Sequence, residues 1–192
     1  VLSRLRHPNI VRLREVIDDG RSLHLYLIMD HVPAGCVRAG ERPYSCLEVR
    51  RCARDVASGL AYLAKRGIVH GDIKPENILQ GDPFLITDFG SVHGRGTPAY
   101  EAPEVYAGGP PTAASDVWAL GVTLFFMAQG YPPFRGSHRP VGEAASREDV
   151  VLRLEGRGAV PTENLLHRML TKAVSRRITI AGILSHEAIK NL

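Results

Sequence analysis

A chain of 192 residues with 44% hydrophobic content can bury one good core, which limits it to a single large lobe with a smaller remnant. Its net charge of +4 is dispersed without a run of five or more basic residues or interleaved aromatics, which argues against a nucleic-acid surface. Cys36, Cys46 and Cys52 are odd in number and lack metal-type spacing, so neither a disulfide framework nor a structural metal is indicated, and a reducing intracellular, cytoplasmic setting fits.

In chain order, Ile10 to Ile17 and Leu23 to Met29 are strand-like runs joined by the turn signal Asp18-Asp19-Gly20-Arg21, and they predict a hairpin. Two strands are marginal alone, so the pair must lean on the rest of the chain, and its exposed Leu and Ile predict poor solubility. Ser45-Cys46-Leu47-Glu48 is a capping box that opens a helix to about Arg66, ended by Gly67, with Val49, Cys52, Val56, Leu60 and Leu63 on one apolar face. Ala102 to Val105 reads as a short helix start. Val117 to Ala128 is too short to cross a bilayer and reads as a fully buried core helix. A polar helix is predicted over Ser146 to Glu155, with Val150, Val151 and Leu154 inward, and two more over Thr162 to Leu170 and Thr179 to His186. The domain is therefore mostly α-helical.

The chemistry concentrates between His70 and Gly90, where the chain reads His-Gly-Asp-Ile-Lys-Pro-Glu-Asn-Ile-Leu and, after a short turn, Thr-Asp-Phe-Gly. Asp72, Lys74 and Asn77 fall on a loop pinned by Pro75, which can turn three polar groups toward one point. A carboxylate at Asp72 can orient a hydroxyl and take its proton, and Lys74 supplies a point charge for a moving phosphoryl group. Asn77 and Asp88 offer the hard oxygens that Mg²⁺ prefers when phosphates and water complete its octahedron. Phosphoryl transfer from a magnesium-bound nucleotide needs this set.

These segments resemble the catalytic loop H-R-D-L-x-x-x-N and the D-F-G motif of the protein kinase family. The order continues: Gly96 to Glu104 is similar to the family's G-T-x-x-Y-x-A-P-E, Ser115 to Gly121 to its D-x-W-x-x-G, and Arg177-Ile178-Thr179 with Ile183 to His186 to its last helical region. The resemblance implies an α+β fold: a mostly α-helical C-lobe over residues 35–192, and a remnant β-hairpin and hinge of the N-lobe over 1–34. It implies a serine/threonine kinase, most similar to the calcium/calmodulin-dependent kinases and their activating kinases. ATP and Mg²⁺ would be its cofactors and a protein its substrate, with no nucleic acid or membrane partner. The alternative is a pseudokinase or scaffold that docks partners without ATP chemistry.

Residue by residue, the resemblance makes Asp72, Lys74, Asn77 and Thr97 the catalytic group and Asn77 and Asp88 the metal ligands. Met29 as gatekeeper, Asp30 and Val32 of the hinge, Leu79 under adenine, and Thr87 would line the ATP site. His70, Phe89, Glu104, Asp116 and Arg177 are implied as structural: His70 stacks under Phe89 in a spine reaching Leu13, Asp116 holds the backbone below, and Arg177 pairs with Glu104. The family's Gly-rich loop, strand lysine and helix glutamate would lie upstream of Val1, so the chain is expected to be a fragment with negligible activity alone.

Two departures stand out. Gly71 replaces the arginine that commonly receives an activation-loop phosphate, and the segment from Ser91 to Gly96 is short, which together imply regulation without that phosphate. Glu101 sits where relatives are often apolar, and a basic residue after the acceptor would suit it.

Overall fold

The computed structural model describes residues 5–18, 20, 24–38, 43–88, 97–134, 141–190 and 192. The longest helix, α1 (Cys46–Ala64), starts where the sequence places a cap: the Glu48 N–H donates to Ser45 Oγ at 3.3 Å, and the Ser45 N–H donates back to Glu48 Oε2 at 2.8 Å. Its apolar face, Val49, Cys52, Ala53, Val56, Leu60 and Leu63, is buried. Each Val or Leu so buried contributes about 1.5–3 kcal/mol relative to exposure.

That face packs against α3 (Ala113–Gln129), which is apolar almost all round. Such a helix belongs in the interior, where no side faces water. Thr112 caps its start through the Ser115 N–H, and Gly130, at φ +79°, ends it in the left-handed conformation that glycine adopts without a Cβ penalty. Helices α5 (Ala159–Met169), α6 (Ile180–Leu184) and α7 (Glu187–Lys190) close the core around α1. A smaller cluster gathers Ala102, Trp118, Val122, Ala145 and Leu170 beside α2 (Pro103–Tyr106) and α4 (Val141–Arg147).

Two short strands, β3 (Ile78–Leu79) and β4 (Leu85–Ile86), pair antiparallel at the edge of this core. Longer-range bonds flank this pair with one further chain segment on each side, a ribbon of segments lying side by side. On one side the Val11 N–H donates to Ile86 O (2.9 Å) and the Ile86 N–H to Asn9 O (2.9 Å). On the other, the Val37 N–H donates to Ile78 O and the Gln80 N–H to Gly35 O, both at 2.8 Å. Leu5, Ile10 and Val37 accordingly join the large core. The segments before β1 (Leu13–Ile17) and after β2 (Tyr26–Met29) are thereby tied to the two strands that Asn77 precedes and Asp88 follows.

β1 and β2 form the expected hairpin, with shorter strands than the sequence predicts and a register shift between Leu13 and Glu15. Ile10 and Val11 are drawn instead into the ribbon with β4. All of Tyr26–Met29 is exposed. Met29, read from the resemblance as the gatekeeper, is 45% accessible at the end of this exposed strand.

The predicted helix over Ser146 to Glu155 is also corrected. The helix is Val141–Arg147, and the next residues are non-helical. Val150, Leu152 and Leu154 face inward while Val151 and Arg153 face water, a period of two that belongs to extended chain. Side chains satisfy this backbone, since Gln129 donates to Arg153 O and Glu163 accepts from the Leu154 N–H. α5 begins earlier than predicted, with Pro161 tolerated in its first turn, and Thr179 is a cap whose Oγ1 accepts from the Gly182 N–H at 3.0 Å. Among the described residues no helix is long and apolar enough to cross a membrane.

Candidate active site

The site is assembled from the floor upward. Asp116, on the first turn of α3, is buried and accepts the N–H of His70 and of Gly71 through its two oxygens, each at 2.9 Å. Burial pushes its carboxyl up from the ordinary value, while the two backbone donors and His70 pull it back in part. Gly71 has φ +77°, so both N–H groups point down at one carboxylate from a backbone conformation that favours glycine. The His70 ring is held on both sides, with Nδ1 accepting from the Asp72 N–H (3.3 Å) and Nε2 lying 3.1 Å from Thr87 O. That network assigns the proton to Nε2.

On this floor the loop turns through a 3₁₀ helix at Pro75–Asn77 and brings four predicted residues together. Asp72 Oδ2 accepts from Lys74 Nζ at 2.7 Å and from Asn77 Nδ2 at 3.1 Å. Its Oδ1 accepts from the Thr97 N–H and from Thr97 Oγ1, both at 3.1 Å. Lys74 Nζ also donates to Thr97 Oγ1 at 2.9 Å. Burial alone would raise the Asp72 carboxyl, but the hydrogen bonds and charge of Lys74 with the Thr97 donors outweigh it and hold the carboxyl below its usual value. Such a group is ionised at neutral pH, a weak base and a firm acceptor for a hydroxyl.

Asn77 and Asp88 are neighbours through the β3–β4 pairing, because the Thr87 N–H donates to Asn77 O at 3.0 Å. Asn77 Nδ2 is committed to Asp72, including its carbonyl oxygen at 2.8 Å, so the amide oxygen is the atom offered elsewhere. Asp88 is exposed and has φ +58°, an uncommon conformation for a residue with a side chain and one enriched at functional sites. One amide oxygen and one carboxylate fit Mg²⁺, which takes few protein ligands when phosphates share its shell.

Of the predicted nucleotide-lining residues, Leu79 and Thr87 lie on or next to β3 and β4, and Met29, Asp30 and Val32 lie at the end of β2 and just after it. Leu79 faces Leu85 across the β3–β4 pair and bridges to Cys36, and Thr87 is held by Asn77 and His70. The Asp30 N–H donates to Arg12 O, the Asp30 side chain pairs with Arg14, and Val32 O accepts from the Gly35 N–H at 3.0 Å. Met29 ends β2 opposite Leu13. Phe89, its stacking on His70, and the short segment containing Ser91 lie outside the described residues.

Behind the site, the Arg177 guanidinium forms a two-pronged pair with Glu104, Nη1 to Oε1 at 2.6 Å and Nη2 to Oε2 at 2.8 Å. Three carbonyls complete its donors: Thr171 O at Nε, Ala114 O at Nη1 and Lys172 O at Nη2. No local pattern pointed to these carbonyls or to the Gln80 amide, which donates to Cys36 O (2.8 Å) and accepts from the Tyr44 hydroxyl (2.7 Å).

The family described as protein kinase domain matches residues 1–189. Among curated proteins, the chain is 39% identical over 153 residues to a calcium/calmodulin-dependent protein kinase type 1 of Macrobrachium nipponense, covering 70% of the chain and 43% of that protein. It is 35% identical over 220 residues to the serine/threonine-protein kinase ssp1 of Schizosaccharomyces pombe, covering 97% of the chain and 33% of the relative. The human calcium/calmodulin-dependent protein kinase type 1B is 40% identical over 157 residues, covering 73% and 45%. The chain thus spans between a third and a half of the length of these relatives.

Proposed function

This chain belongs to the protein kinase family, and from that premise we propose that its protein transfers the γ-phosphate of ATP to serine or threonine hydroxyls of a protein substrate inside the cell. The observation that carries the reading is the grip of Lys74, Asn77 and Thr97 on a single buried carboxylate, Asp72. The family uses ATP and Mg²⁺, which supply the phosphoryl group and neutralise its charge. Asn77 and Asp88 would hold the metal, while Leu79, Met29 and the backbone of Asp30 and Val32 would face the nucleotide base.

In this reading Asp72 accepts the hydrogen bond of the substrate hydroxyl, aligns its oxygen, and takes the proton as the new O–P bond forms. Its lowered basicity assigns it mainly to orientation, with proton uptake late in the step. Lys74 bridges Asp72 and Thr97, and a phosphoryl oxygen arriving beside it meets a positive charge already positioned by two acceptors. The division into a small part over 1–34 and a large lobe over 35–192 belongs to the same proposal, with the nucleotide between them.

The test is phosphate incorporation into protein or peptide by the protein translated from its full coding sequence. Asp72→Asn should lower kcat by at least about a hundredfold, a general acid–base contribution, with little change in ATP affinity. Absence of transfer by the unaltered protein, or full activity in Asp72→Asn, would reject the assignment.

A further inference from the structure

After β2 the chain turns at Val32, whose carbonyl accepts the Gly35 N–H at 3.0 Å, and then runs beside β3. Backbone bonds hold this run at two points: Gly35 O accepts the Gln80 N–H, and the Val37 N–H donates to Ile78 O, both at 2.8 Å. Two further backbone groups, Cys36 O and the Arg38 N–H, are met by side chains. Gln80 Nε2 donates to Cys36 O at 2.8 Å, and the Arg38 N–H donates to the Tyr44 hydroxyl oxygen at 3.4 Å. The hydroxyl then donates to Gln80 Oε1 at 2.7 Å, so the three bonds form a relay from Arg38 back to Cys36. A carbonyl can only accept, which fixes the amide orientation of Gln80.

The relay has a firm base. The Tyr44 N–H donates to Met127 O of α3 at 2.9 Å, and its ring packs on the large core. Burial pushes the Tyr44 hydroxyl up from its ordinary value, against the Arg38 N–H, so it keeps the proton that it donates. Strand alternation puts the Gln80 side chain on the face of fully buried Ile78 and turns Leu79 to the other face, opposite Cys36. Gln80 thus grips the neighbouring run without occupying the face of Leu79. Backbone bonds alone would join that run only to β3; the relay joins it to α3 as well.

We propose that Gln80 and Tyr44 are positioning residues for the nucleotide: their relay fixes the backbone after Val32 against Leu79, and so sets the width of the slot that takes the base. The inference rests on the phosphoryl-transfer reading above, in which both walls of that slot face ATP. None of the relay atoms touches the group formed by Asp72, Lys74, Asn77 and Thr97. A looser slot would therefore hold the base less well in the ground state and in the transition state alike, which raises KM for ATP and spares kcat.

The experiment measures kcat and KM for ATP, and thermal unfolding in parallel, on the protein translated from its full coding sequence. Gln80→Leu, which removes both side-chain bonds, should raise KM for ATP at least about fivefold while kcat at saturating ATP stays within about twofold. Tyr44→Phe keeps the ring and removes one link, and should raise KM for ATP about twofold. Because the links act in series, the double variant should be no worse than Gln80→Leu alone. A lowered unfolding temperature with KM for ATP unchanged would make the relay a stability element and overturn the proposal. So would a fall in kcat at constant KM, or failure of both single variants to fold. Transfer by the unaltered protein leaves the kinase reading intact in each of these cases; no transfer by the unaltered protein overturns both.

Discussion

Replacing Glu104 by alanine tests whether the pair behind the active site is a structural clamp. The Arg177 side chain is 0% exposed and Glu104 24%. Removing the carboxylate strands two of five guanidinium donors and leaves a buried positive charge uncompensated, a change that costs about 3–5 kcal/mol when no water can enter. Access on the glutamate side places the expected loss near the lower end, about 3 kcal/mol. Arg177→Met removes the charge but strips the donor from Ala114 O, Thr171 O and Lys172 O, at about 1 kcal/mol for each carbonyl, with roughly 1 more for the lost partner of Glu104. In the double variant the ion-pair loss is counted once and no buried charge is stranded, so its cost should fall about 3 kcal/mol short of the sum of the singles. Urea unfolding followed by the fluorescence of Trp118, the sole tryptophan, suits the measurement, because that ring is buried 5.1 Å from the Arg177 guanidinium. A loss below 1 kcal/mol for Glu104→Ala, or strict additivity, would refute the clamp.

Asp116→Ala should unlatch two backbone N–H groups from their buried acceptor and cost about 2–4 kcal/mol, with faster amide exchange at His70 and Gly71 as the direct readout. Unchanged exchange there would refute the latch. Because the folded state lowers the Asp72 carboxyl, its contribution to stability is complete above the unfolded value of about 3.9 and is lost as pH falls through the lower folded value. Asp72→Asn should therefore flatten the acid limb of the stability profile, and Lys74→Met should move the Asp72 carboxyl titration upward in carbon NMR; a titration that stays in place contradicts the account. Gly71→Ala should cost about 1–2 kcal/mol from its left-handed backbone alone, since an added Cβ would meet only Pro111 Cβ at 4.0 Å. A neutral Gly71→Ala in thermal unfolding would show that the loop relaxes.

Where local chemistry decides, the chain is legible by itself. The Ser45–Glu48 cap, the buried helix through Trp118 and the polar set Asp72, Lys74 and Asn77 each depend on neighbours within one turn, so their spacing carries the signal. The Ser146 to Glu155 reading failed because Val150, Val151 and Leu154 suit a helical face on paper, while the packing of Leu152 selects the extended alternative. Met29, read as the gatekeeper, lies on a strand that is exposed throughout, a quantity that residue types along the chain do not carry.

Residue types and their order pointed to the fold family through its motifs and placed a carboxylate, an ammonium and an amide on one short loop. Only the tertiary structure decided what those groups are worth. Thr97 reaches Asp72 across 25 residues, Asp116 reaches Gly71 across 45, and Arg177 reaches Glu104 across 73. Whether a carboxylate is lowered or raised depends on such distant partners and on the water they exclude. Spacing along a chain does not encode either quantity, and for that reason Gln80 becomes distinctive only once Cys36 and Tyr44 are folded around it.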